Sequence, residues 1–284
     1  MKIFGLDFTS APGPKKPITA AVCELNDNLL RVNEILKIDS FAAFESFLQL
    51  PGPWVAALDF PFGLPQKLLT NLGWPSTWED YIYPLSSMGK TQFERTLIQY
   101  CASRPPGDKH HVRVTDRCAG ACSPMMLQRV PVGKMFFQGA PRLLAAGVCI
   151  LPCHPTNDDR IVVEGYPALL MRKLIGKRSY KSDESNKQTS EKATARHDIV
   201  YGLCLPAFSN QYGVTIELPD LLAEACIQDS KGDNLDALLC ALQAAWAYTR
   251  RNNDYGIPPK SNRGEGWIVD PALLHYLPSD QPIA

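Results

Sequence analysis

"KGDNLDALLCALQAAWAYTRR" (residues 231–251) reads as one helix, and its few charges decide how the rest of the chain must be arranged. Between Asn234 and Thr249 the only charged residue is Asp236, three positions after Asp233. A spacing of i, i+3 puts both carboxylates on one face. On a helical wheel Leu235, Leu238, Leu239, Leu242 and Trp246 form the apolar side, and the aspartates fall opposite, beside Ala237, Cys240, Gln243 and Ala244. An ordinary surface helix would carry Lys, Glu or Arg there, although Asp233 also suits a helix N-terminus, where the macrodipole favours an anion. A helix that is apolar nearly all round is buried nearly all round. Buried acids must be paired or must coordinate a cation. No Lys or Arg lies a turn away from Asp236 on this helix, so a metal ion is the simplest partner.

The rest of the chain supplies a sheet for this helix to cover. "KIFGLDF" (2–8) is an apolar strand ending in an acid, and "PITAAVCEL" (17–25) and "LLRVNEILKI" (29–38) follow at hairpin spacing. "DSFAAFESFLQL" (39–50) is an amphipathic helix that Asp39 or Ser40 can cap, with Phe41, Phe44, Phe47 and Leu48 as its stripe. "WVAALDF" (54–60) is a near-continuous apolar run, as a strand buried on both faces requires. Residues 65–155 break this rhythm and predict a mostly helical insertion over one end of the sheet, including a helix over 91–102 and a basic, turn-rich stretch over 103–117. "RIVVEGYP" (160–167) returns to strand, "ALLMRKLIG" starts a helix, and 177–192 is charged enough to predict an exposed, mobile loop. Helices over about 193–205 and 219–229 lead into the last helix, and 265–271 predicts a short strand or loop. The layout is α/β, with a mixed central sheet flanked by helices in a single domain over 1–284.

Three strand-like runs end in acids: Asp7 in "GLDFTSAPG", Asp59 in "ALDFPFG" and Glu164 in "VVEGYP". Sites in open α/β sheets lie beyond the carboxyl ends of the strands. If these strands are parallel neighbours, Asp7, Asp59 and Glu164 meet at one end, with Asp233 and Asp236 delivered by the helix. Carboxylates gathered so closely take up protons unless cations neutralise them. An all-oxygen donor set suits Mg²⁺ or Mn²⁺ rather than zinc. Two such ions about 3.5–4 Å apart would activate a water and stabilise the leaving oxygen of a phosphodiester.

Composition sets the outer bounds. The 284 residues carry 29 basic and 29 acidic side chains, so any electrostatic partner site must be local. Nine cysteines at irregular spacing, with no signal peptide ahead of the first strand, predict reduced thiols and a cytoplasmic protein. No apolar run approaches the length that spans a bilayer. A zinc site from Cys118, Cys122, Cys149, Cys153 and His154 is the lesser alternative to buried small residues, because the spacing is not C-x-x-C. His110 and His111 read as surface histidines. "MGK" (88–90) lacks the upstream glycines of a phosphate loop.

"GLDFTSAP" (5–12), "ALDFPFGLP" (57–65), "EGYPALL" (164–170), "SYK" (179–181) and "GDNLDALLCALQA" (232–244) occur in an order that resembles an uncharacterised family of predicted RNase H-like nucleases, a domain-of-unknown-function group. "DNLDALLCA" is also similar to the last helix of RuvC-type Holliday junction resolvases, where a D-x-x-D-A pattern supplies two metal ligands. The resemblance implies an RNase H-like fold, a first-strand ligand role for Asp7 and last-helix roles for Asp233 and Asp236. Between Asp59 and Glu164 it leaves the second-strand acid open. The expectation is a metal-dependent nuclease acting on nucleic acid or a nucleotide. Arg113 and Arg117 in the insertion are candidate phosphate contacts, and Lys181 gains support from "SYK". Thr9 and Ser10 are further candidates, since "GLDFTSAPGPKK" also looks somewhat like the first phosphate loop of actin/hexokinase-like phosphotransferases. That rival needs two related lobes, and the motif occurs once. A non-catalytic nucleotide- or nucleic-acid-binding protein of the same fold is the second rival.

Overall fold

Alternating apolar residues, buried on both sides, build a seven-stranded mixed sheet in the computed structural model, which describes residues 1–182 and 184–274. Strands β1 (Lys2–Asp7), β2 (Ile18–Asn26) and β3 (Leu29–Ile38) form an antiparallel meander. Helix α1 (Phe41–Leu48) follows, with the Ser40 hydroxyl accepting from the Ala43 amide as its N-cap. Strand β4 (Trp54–Leu58) then returns parallel to β1. Five helices come next, α2 (Gln66–Leu72), α3 (Trp78–Met88), α4 (Lys90–Ala102), α5 (Val114–Ala119) and α6 (Val132–Ala146). Strands β5 (Cys149–Leu151) and β6 (Arg160–Glu164) extend the sheet in parallel beyond β4. Helices α7 (Ala168–Ile175), α8 (Ser190–Leu203) and α9 (Pro206–Tyr212), edge strand β7 (Thr215–Glu217), α10 (Asp220–Gln228) and α11 (Asp233–Thr249) complete the order β5-β6-β4-β1-β2-β3-β7.

Strand periodicity divides the core into two layers. Ile3, Val55, Ala57 and Val163 pack with α7, α8 and α11 on one face. Phe4, Leu6, Trp54, Ala56, Leu58 and Val162 pack with Phe44, Phe62, Trp78 and Phe136 on the other. The helices of residues 65–155 and α1 together pack on this face of the sheet, where their aromatic residues are continuous with those of β1 and β4. Strands β5 and β7, and helix α9, are additions to the predicted order.

Every residue from Asp233 to Ala247 is buried, as the charge-poor helix required. The small side of α11 is the one that meets the sheet. A Cβ on Gly5 would stand 2.0 Å from the Ala241 nitrogen and 2.1 Å from the Ala237 oxygen, so only glycine lets the helix backbone lie this close to β1.

Candidate functional site

Strand parity aims the acids. Asp7 continues the series Ile3, Gly5 and Asp59 the series Val55, Ala57, so both face α11. The Asp59 amide donates to the Leu6 carbonyl (2.9 Å), which ties the exit of β4 to the end of β1. Helix α11 brings Asp233 and Asp236 to the same place through its first turn. Glu164 follows Val163 and so faces the opposite layer.

The α11 side is short of positive charge. Asp236 is the best partnered acid: the Tyr180 hydroxyl donates to its Oδ1 (2.6 Å) and the Lys181 ammonium donates to its Oδ2. Among the described residues no hydrogen bond or ion pair reaches the carboxylate of Asp7 or Asp59. Burial, then the charge of Asp236, raises the Asp7 carboxyl well above the usual carboxylate range, while Lys181 pulls the other way. Burial and Asp236 push the Asp59 carboxyl up to about 7. Burial and Asp229 raise Asp233, which lies beside this group. Lys181 keeps its proton far beyond the ordinary lysine range, since Asp236, Tyr180 and Asp7 outweigh the effect of burial. One ammonium thus serves several carboxylates at once.

The Glu164 side is neutralised. Arg113 is 1% exposed and donates to both oxygens of Glu164 (2.5 and 2.7 Å) and both of Asp116 (2.6 and 2.9 Å). It also reaches the Glu265 carbonyl (2.8 Å), and the Phe62 amide donates to Glu164 (3.0 Å). With its guanidinium spent inside the protein, Arg113 is a structural cation here, not an exposed phosphate contact. Glu164 is paired, and it adds to the cluster only through its charge near Asp59.

The other candidates separate clearly. Lys181 belongs to the site. The segment before it is docked, contrary to the exposed loop that its composition predicts: Tyr180 is buried, and Arg196 donates to its carbonyl (2.8 Å). Thr9 and Ser10 follow Asp7 at the exit of β1, partly exposed. Arg117 is exposed and lines a separate cleft of about 530 Å³ with Lys67 and His110. His111 is buried, its Nε2 2.6 Å from the Tyr100 hydroxyl. Two openings flank the acids. One, of about 490 Å³, has Asp233, Lys15, Lys37 and Lys231 on its walls. The other, of about 140 Å³, runs from Asp59 past Pro61, Val130, Met135 and Tyr166.

The donor chemistry fits a hard divalent ion: all oxygens, crowded, and under-neutralised. The arrangement is not closed around one. Among the described residues no three His, Cys, Asp or Glu side chains are grouped to hold a metal ion, and the Lys181 ammonium sits on Asp236 instead. No zinc grouping occurs among the described residues either, and Cys118, Cys122, Cys149 and Cys153 are free thiols.

A family model covers residues 5–262, from the glycine of β1 past the end of α11. The chain belongs to the DUF429 family, described as proteins of unknown function. Neither a curated protein nor a solved structure gives a significant match. In this DUF429 chain the matched span holds all of Asp7, Asp59, Glu164, Lys181, Asp233 and Asp236. Among the described residues no helix is long and apolar enough to cross a membrane.

Proposed function

We propose that this protein is a divalent-metal-dependent nuclease that hydrolyses phosphodiester bonds, with Mg²⁺ or Mn²⁺ held by Asp7, Asp59 and Asp236 and with Asp233 beside them. The observation that carries the reading is the convergence of carboxylates at the ends of two adjacent parallel strands and a helix, with one ammonium among them. The strand series β3-β2-β1-β4-β6, antiparallel and then parallel, is the arrangement that the RNase H-like resemblance implies. Bound there, the ions would polarise a phosphoryl oxygen and lower the pKa of a water. The residues of the chain bind and orient. Lys15, Lys37 and Lys231 line the larger opening together with Asp39, Asp229 and Asp233, so its charges are balanced and a bound ion would tip it towards phosphate. The Arg113–Glu164 pair fixes the Phe62 amide, just beyond Asp59. A phosphotransferase of the two-lobed kind would need a second sheet, and the described residues form one.

The test is cleavage of short single- and double-stranded DNA and RNA with and without Mn²⁺. Metal-dependent cleavage is expected, and Asp236→Asn should abolish it. Full activity in that variant would refute the assignment of the site. Nucleic-acid binding without cleavage would favour the non-catalytic reading. Thermal stabilisation by ATP–Mg²⁺ but not by nucleic acid would favour phosphotransfer.

A further inference from the structure

The residue that neutralises the carboxylates comes from outside both the sheet and α11. Lys181 lies between α7 and α8, on a segment whose main chain is tied at several points. Arg196 donates to the Tyr180 carbonyl (2.8 Å), the Ser182 amide donates to the Ser230 carbonyl (3.2 Å), and Gln188 bridges the Ser182 and Ser230 carbonyls (2.6 and 2.9 Å). The segment also rests on the turn that starts α11. A Cβ on Gly232 would stand 2.7 Å from the Tyr180 ring and 3.0 Å from the Lys181 stem. "SYK" and "KGD" are thus fitted to each other. The Lys181 side chain itself is 41% exposed, with its ammonium on Asp236 and 5.4 Å from the centroid of the Tyr180 ring. A long flexible stem on an anchored backbone can leave its partner without moving the segment that carries it.

We propose that Lys181 is the built-in counter-cation of the cluster and marks where a divalent ion binds, so that ion and ammonium exclude each other at Asp236. This rests on the metal-binding reading above. The ammonium occupies Asp236 Oδ2 and acts electrostatically on Asp7, Asp59 and Asp233 as well. An ion on the same carboxylates needs the same lone pairs, and two like charges so close repel. In the exchange the Lys181–Asp236 ion pair breaks, the lysine swings into solvent with its proton, and Asp236 Oδ2 is freed for the metal. The Tyr180 hydroxyl stays on Oδ1 and keeps the carboxylate oriented.

The alternative is that Lys181 acts alongside the metal or merely braces the fold. Calorimetric titration of Mn²⁺ into the full chain, without substrate, separates these. Lys181→Met and Lys181→Gln should each bind Mn²⁺ at least about tenfold more tightly than the wild type, and Lys181→Arg should restore the weaker binding. A second readout needs no variant: reductive methylation of Lys181, followed by mass spectrometry, should speed up when Mn²⁺ is added. Equal or weaker Mn²⁺ binding by both neutral variants, or an unchanged methylation rate, overturns the proposal. If the wild type still binds Mn²⁺ in that case, the metal-binding reading stands. Absence of Mn²⁺ binding by the wild type and both neutral variants overturns the two together.

Discussion

Two acidic clusters lie at the same end of one sheet and are neutralised in opposite ways. On the insertion side, Glu164 and Asp116 share a fully buried arginine that meets all four of their carboxylate oxygens. On the α11 side, Asp7, Asp59, Asp233 and Asp236 share a half-exposed lysine that, of these four acids, pairs with Asp236 alone. A cluster closed by a bidentate arginine is a brace. A cluster short of positive charge holds protons on its acids instead, and a bound cation would displace them, the condition expected of a working site rather than of a scaffold.

The largest effect should come from breaking the brace. Arg113→Met leaves Glu164 and Asp116 buried without their counter-charge, with only backbone amides still donating to them among the described residues, and should cost about 3–5 kcal/mol in chemical denaturation. A loss under about 1 kcal/mol, in the range of surface pairs, would mean that the two clusters do not differ as described.

A smaller effect of opposite sign should follow from relieving the open cluster. The Asp59 carboxyl ionises at about 7 in the folded protein against an ordinary 3.8. Between these values the folded state holds a proton that the unfolded chain has released. The contribution of this carboxyl to stability without metal is therefore fully present below about 3.8, falls as the pH rises, and levels off above about 7. Asp59→Asn should flatten that decline and make the metal-free protein more stable at pH 8, by about 1–2 kcal/mol once solvent screening is allowed for. Thermal melts across this pH range check it, and a wild type whose stability climbs from pH 4 to 7 by the same amount as the variant's would contradict it.

Much of this contrast was legible in the sequence. The apolar runs of β1, β4 and β6 and the charge-poor α11 read directly as a sheet covered by a buried helix. Strands β5 and β7 are three residues each, too short for periodicity to register. The split between the clusters was also written in the strands: Asp7 and Asp59 continue the residues facing α11, while Glu164 follows Val163 and faces away. Counting parity would have separated Glu164 from the others, where strand-end position alone grouped them. Arg113 was misleading as a free phosphate contact because its stretch is polar, yet Asp116 three residues on signals a local pair. Lys181 was a candidate through "SYK", but the charged composition of 177–192 hid that the segment carrying it is docked. Tyr180, an aromatic residue among charges, was the sign that this part of the loop is held down.

The central claim is that the α11-side carboxylates bind a divalent ion, and a crystal structure of the protein grown with Mn²⁺, with anomalous data, tests it most directly. The account predicts an anomalous peak bounded by Asp7, Asp59 and Asp236, with Lys181 withdrawn from Asp236 and Arg113 still locked on Glu164. No peak at these carboxylates, with Lys181 still paired to Asp236 at saturating Mn²⁺, would contradict it.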